Sequence, residues 1–268
     1  MTAKAKKILT SSVVAILFVL LITIELGKNK IVGASLHGET VYNIATRFIG
    51  GIACLVFVLT LSSKKILSPR TSLGAFLMFL PCMAVAINNF PFVTYLGGEA
   101  YINFDPWSVV LYAVLCLGVG FFEEMAFRGC IFLVILQKRK NSWIDVFVSI
   151  VISSVIFGLI HLVNLFAGAG VGAVILQVGY SFLIGGMCSI VLIKTGNIWY
   201  CVFLHAIYNF AGGIVPQCGG GVIWTTPEII LTAVVAVIVA AYVISLLVRI
   251  RPEEIRRLWN DKPQEGSD

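Results

Sequence analysis

Residues 109–136 read VVLYAVLCLGVGFFEEMAFRGCIFLVIL, an apolar run broken by three ionisable groups, Glu123, Glu124 and Arg128. At bilayer depth each such group costs about 2.5–3.5 kcal/mol on insertion scales. Two adjacent carboxylates and an arginine therefore need partners. The rest of the chain reads as a search for them.

The chain has 268 residues, 59% of them hydrophobic and 12% charged. Soluble proteins carry about 25% charged residues. A spanning helix needs about 20 mostly apolar residues. Eight such runs can be drawn: Ile8–Leu26, Ile44–Ser62, Thr71–Ile87, Ser108–Gln137, Trp143–His161, Ala173–Ile193, Ile198–Val215 and Glu228–Val248. The expectation is an all-α polytopic integral membrane protein of about eight transmembrane helices. No polar linker separates the runs, so residues 1–268 read as a single transmembrane domain with a polar tail over 249–268. The first run, behind Lys4, Lys6 and Lys7, reads as an uncleaved helix because its apolar core is long and more spans follow.

The net charge of +6 raises nucleic acid as a partner. Its distribution excludes that reading. An eight-span topology puts the basic residues of the N-terminal tail, the two-three, four-five and six-seven loops and the C-terminal tail on one side. Only Lys28, Lys30, Arg47 and Arg128 lie elsewhere. This is the positive-inside pattern, with both termini cytoplasmic, and the basic tail reads as a lipid-surface segment. The seven cysteines are scattered singly, without a C-x-x-C, and read as small buried hydrophobes. Cys218, in a Gly-rich loop, is the one candidate for reactivity.

Three histidines are available. His37 falls in an expected external loop and reads as incidental, whereas His161 and His205 stand in apolar helices. Glu124 and Arg128 are four residues apart and share a helix face. Glu123 points about 100° away from Glu124, which leaves it the freer carboxylate. His205 and Asn209 are likewise four apart. Counted from the turn near 138–143, Glu123 and His161 differ in height by only about 5 Å. His205 counts as shallower. The thirty-residue fourth run is about 45 Å long against a hydrocarbon core of about 30 Å, so protrusion of the four-five hairpin would bring all three level.

This set suits addition of water to a carbonyl. In apolar surroundings a carboxylate is a stronger base, and a nearby imidazole can hold the water. A second histidine with an asparagine supplies donors for the oxyanion. Arg128 can hold Glu124 ionised and lock the helix. A zinc site of Glu123, His161 and His205 is the chemical alternative, although there is no HExxH pattern. Other readings are an ion-coupled transporter, for which an inverted repeat would be expected and none is visible, and a non-enzymatic membrane immunity or scaffold protein.

The ordered motifs Glu-Glu-x-x-x-Arg (123–128), Phe-x-x-x-His (157–161) and His-x-x-x-Asn (205–209), with the Phe-Arg-Gly of 127–129, resemble the CPBP intramembrane proteases. That family includes the prenyl-protein (CAAX) endopeptidases and bacterial bacteriocin-processing relatives. The resemblance covers about 105–215, which it marks as the catalytic core. It implies that Glu123 and His161 activate water, that His205 and Asn209 stabilise the oxyanion, and that Glu124 and Arg128 support them. It further implies a metal-independent glutamate-type endopeptidase needing no cofactor. The substrate would be a prenylated CAAX-like peptide or a bacteriocin or pheromone precursor. The composition and short tail fit a bacterial plasma membrane.

Overall fold

The computed structural model describes residues 36–69, 72–138 and 142–259, together with Ser12, Ile16 and Val19. Apart from those three helical residues, the expected first span Ile8–Leu26 lies outside the described residues. So do the tail beyond Trp259 and the side chain of His37. The helices are α1 (Leu36–Leu61), α2 (Leu73–Asn88), α3 (Phe92–Leu96), α4 (Pro106–Lys138), α5 (Trp143–Ile160), α6 (Val171–Thr195), α7 (Ile198–Cys218), α8 (Thr226–Val248) and α9 (Pro252–Arg256). Short 3-10 turns follow α1 at Lys64–Leu67 and α5 at His161–Leu165. The protein is all-α and multi-pass: six of the described helices are long and apolar enough to cross a membrane.

The third expected span is shorter than its sequence reading. Ser72 caps α2 by accepting from Ala75 N, and the helix runs 16 residues to Asn88 with Pro81 inside it. At 1.5 Å per residue that is about 24 Å, less than the hydrocarbon core. The fourth is longer than expected, at 33 residues.

Glycines set how closely α4 is approached. A Cβ at Gly50 or Gly51 of α1 would strike the rings of Phe122 or Phe121. A Cβ at Gly120 would lie 2.7 Å from the Val202 carbonyl of α7. Small residues of this kind allow helix approach in lipid, where apolar attraction between helices is weak. The Glu pair thus stands on a helix held between α1 and α7. Buried apolar residues of α4 to α7 form the interior, among them Phe122, Met125, Phe132, Phe157, Leu192 and Leu204. By contrast, the outer face of α8 is exposed at Ile229, Ile230, Val234, Val237 and Ile238. In a membrane such a face meets lipid.

The polar 88–107 segment and the Gly-rich 217–221 loop are more structured than their composition implies. β1 (Ala100–Ile102) pairs antiparallel with β2 (Gly219–Gly221), with Ala100 opposite Gly221. Gly221 has φ +105°, and a Cβ there would run into the Glu99 main chain. Cys218 is the last residue of α7 and is buried, so the loop placement expected for it does not hold.

The tail differs most from a lipid-surface segment. Ile255, Leu258 and Trp259 are buried, and the Ser63 hydroxyl donates to the Leu258 carbonyl. Lys194, at the end of α6, is 5% exposed. Its Nζ donates to Glu254 at 2.8 Å and to the Arg249 carbonyl at 2.8 Å. Arg257 donates to the Ile193 and Lys194 carbonyls. Burial lowers the Arg257 pKa from its ordinary value, against the nearby Glu254. Residues 249–259 therefore strap the α6–α7 turn. Glu254→Gln is expected to destabilise the protein by about 2 kcal/mol, the worth of a charged hydrogen bond, read as a lowered Tm in detergent.

Candidate active site

The site begins at a change of helical winding. α4 is regular to Glu124 and then takes π geometry over Met125–Phe132. Such segments are uncommon and occur frequently at functional sites. No sequence pattern announced it. The segment carries Arg128, which is 1% exposed. Arg128 Nη1 donates to Glu124 Oε1 at 3.0 Å, and the guanidinium carbon lies 4.3 Å from the centre of the Phe157 ring. Gly185 of α6 leaves it room, since a Cβ there would be 2.9 Å from Arg128 Nη2. Burial of this charge is thus matched by one carboxylate and one aromatic face.

Glu124 has a second partner that helix spacing did not disclose. Its Oε1 also meets His205 Nδ1 at 2.7 Å, and Glu124 is fully buried. An ionised carboxylate only accepts, so Nδ1 is the donor. The other ring nitrogen, Nε2, then faces Glu123 Oε2 at 3.6 Å. His205 therefore lies between the two carboxylates, one at each nitrogen. The sequence reading turned Glu123 toward His161, with His205 brought level by protrusion of the four-five hairpin. In the structure its closest described approach to an imidazole is to His205.

His161 is the first residue after α5. Its Nδ1 meets the Phe157 carbonyl at 3.0 Å. A carbonyl can only accept, so Nδ1 carries the proton and Nε2 is left as the free nitrogen. The Phe157 ring stands edge-on to both imidazoles, with centroids 5.3 Å from His161 and 5.8 Å from His205. One aromatic side chain thereby spaces the two histidines and covers the arginine.

Glu123, His161, His205 and Asn209 line one cavity of about 90 Å³. That is room for several waters, and the polar lining gives them partners. Among the described residues, Glu123 Oε2 has no hydrogen-bond partner. Gln177, Tyr180, Ser181 and Tyr208 also line the cavity and were missed. A signal for Gln177 existed: it is an amide inside an apolar run, and its Oε1 accepts from Asn164 Nδ2 at 2.7 Å. That bond ties α6 to the 3-10 turn carrying His161.

The zinc alternative does not match the donor geometry. Among the described residues, the donor atoms that converge within 4.8 Å are those of Glu124, Cys188 and Cys201, not those of Glu123, His161 and His205. That other cluster is a poor cation site. Its carboxylate already meets Arg128 and His205, and the Cys201 thiol donates to the Cys188 carbonyl at 3.1 Å. Neither set fits a four-coordinate zinc centre as placed.

No curated protein and no solved structure matches the chain. A protein-family model does, and it covers every site residue named above from Glu123 to Asn209. The match spans the stretch from the cap of α4 to the middle of α7. Over residues 105–211 the chain matches the family described as Type II CAAX prenyl endopeptidase Rce1-like, a likeness consistent with the CPBP-type membrane proteases.

Proposed function

We propose that the protein is an intramembrane endopeptidase of glutamate type, acting on a prenylated CAAX-like peptide or a bacteriocin or pheromone precursor. The observation that carries this reading is the shared cavity. It brings Glu123, His161, His205 and Asn209 around a space large enough for water. Glu123 takes a proton from a water that the free Nε2 of His161 holds from the other side. Addition of that water to the scissile carbonyl forms an oxyanion, to which the Asn209 amide donates; His205 Nε2 donates as well when the ring carries a proton on both nitrogens. Glu124 fixes the direction of the His205 ring, and Arg128 pairs with Glu124. The proton then passes to the leaving amine. No metal takes part in these steps.

The same reading places the active domain in a chain of about eight spans with cytoplasmic termini, its catalytic core over residues 105–215. A reporter fused at Asp268 should therefore be active on the cytoplasmic side.

The reaction is tested with purified protein in vesicles, a farnesylated CAAX-type peptide and its unprenylated counterpart, with products read by mass. Cleavage of one peptide that persists in strong chelator is expected. Asn209→Ala should lower kcat by about 10²-fold, the size of one lost oxyanion donor. Loss of cleavage on chelation would overturn the metal-free mechanism, and full activity of Asn209→Ala would remove that residue from it.

A further inference from the structure

We infer that Asn89 and Tyr112 are positioning residues that clamp the α7 turn bearing Asn209. The inference rests on the oxyanion role proposed above for Asn209. Asn89, the C-cap of α2, lies outside the family match at 105–211.

The geometry is specific. Tyr112 OH donates to the Asn209 carbonyl at 3.0 Å, and Asn89 Nδ2 donates to the Tyr208 carbonyl at 2.8 Å. These two carbonyls lie inside a continuous helix, Ile198–Cys218. Within a helix each accepts from the amide four residues on, here Gly212 and Gly213. A carbonyl oxygen has a second lone pair, and the two side chains take it. Those side chains fit only because residues 212 and 213 lack a Cβ. A Cβ at Gly212 would lie 2.9 Å from Asn89 Cγ and overlap its amide nitrogen. A Cβ at Gly213 would lie 2.8 Å from Tyr112 Cζ and overlap its hydroxyl. The Gly-Gly pair is thus a port for two side chains from two other helices.

The mechanical consequence follows from α4. Tyr112 and Glu123 are eleven residues apart, three turns of a regular helix, so they stand within about 20° on one stripe. One helix therefore carries the water-activating carboxylate and also grips the main chain of the oxyanion residue. The Tyr112 ring packs on Phe210, with centroids 5.8 Å apart and planes at 28°, which holds the hydroxyl in line. Asn89 secures the preceding carbonyl from the other side. Asn209 and Tyr208, which both line the cavity, are set at a fixed height relative to Glu123.

A competing account is that both side chains merely satisfy their own polar atoms in an apolar setting. The accounts separate in a double-mutant cycle. Tyr112→Phe keeps the ring and its packing and removes the grip. It is expected to lower kcat about 10-fold with KM unchanged, because a misplaced donor acts in the transition state. Asn89→Leu should do the same to a smaller degree. In an Asn209→Ala background Tyr112→Phe should have no further effect on kcat, since its effect passes through Asn209. Additive losses would overturn the proposal.

A second readout needs no substrate. Amide exchange at Gly212 and Gly213 should speed up about 10-fold in Tyr112→Phe, because the turn opens locally. Unchanged exchange overturns the clamp whatever the reaction proves to be. Conversely, a wild type that cleaves neither peptide defeats the protease reading, and the exchange result still decides the clamp.

Discussion

Glu123→Gln is expected to lower kcat by about 10²–10⁴-fold, the contribution of a positioned general base, while Tm stays within a few degrees of the wild type. The argument has two parts. Chemically, Gln keeps the size and one acceptor oxygen but cannot take a proton from water. Structurally, Glu123 carries little of the fold. It is part-exposed to the cavity, its Oε2 has no hydrogen-bond partner among the described residues, and the nearest imidazole nitrogen is 3.6 Å away. Arg128 is held by Glu124 instead. Loss of activity should therefore come without loss of fold. Peptide cleavage and thermal denaturation measured on the same preparation check both halves. A Gln variant that cleaves at the wild-type rate would end the general-base role, and one that fails to fold would show that the carboxylate is structural.

The legible part of this protein was what periodicity and charge fix. Long apolar runs located the spanning helices after α1 to within about three residues, because lipid demands a length and a composition, whereas α1 begins at Leu36, eight residues before the expected Ile44. The three motifs could be placed on one site because a helix puts residues four apart on one face. That rule gave Glu124 with Arg128 and His205 with Asn209. Its limits show in the same residues. Spacing within a helix says nothing of the rotation of one helix against another, so the Glu124–His205 bond, which joins two motifs 81 residues apart, was not deducible. The π segment at Met125–Phe132 was hidden for a related reason: the same residues satisfy an α pattern locally. The reading of α2 began two residues before Leu73, because composition alone does not show that Ser72 is its N-cap. The C-terminal strap was misread because composition cannot tell a charge that meets lipid headgroups from one buried against Lys194. For the Glu124–His205 bond and the C-terminal strap, the deciding contact comes from a distant part of the chain.

Glu124→Gln should harm fold and reaction together, and the two effects can be pulled apart. Glu124 is fully buried, and its Oε1 meets both the Arg128 guanidinium and His205 Nδ1. With Gln there, Arg128 loses the carboxylate it pairs with, while its Nε and Nη2 already lack hydrogen-bond partners among the described residues. Removing one member of a buried ion pair costs about 3–5 kcal/mol, because the other charge stays buried. The Phe157 face offsets only part of that, about 2 kcal/mol for a desolvated cation–π contact. A lower Tm is therefore expected. Adding Arg128→Met removes the stranded charge, and replacing a buried pair by apolar volume is often neutral. The double variant Glu124→Gln/Arg128→Met should thus recover most of the Tm. It should not recover activity. His205 Nδ1 would still face an amide rather than an ionised carboxylate, so the ring loses the partner that directs Nε2 at the oxyanion, and kcat should stay down about 10-fold or more. Activity that returns with Tm would instead make Glu124 a partner of Arg128 and nothing more.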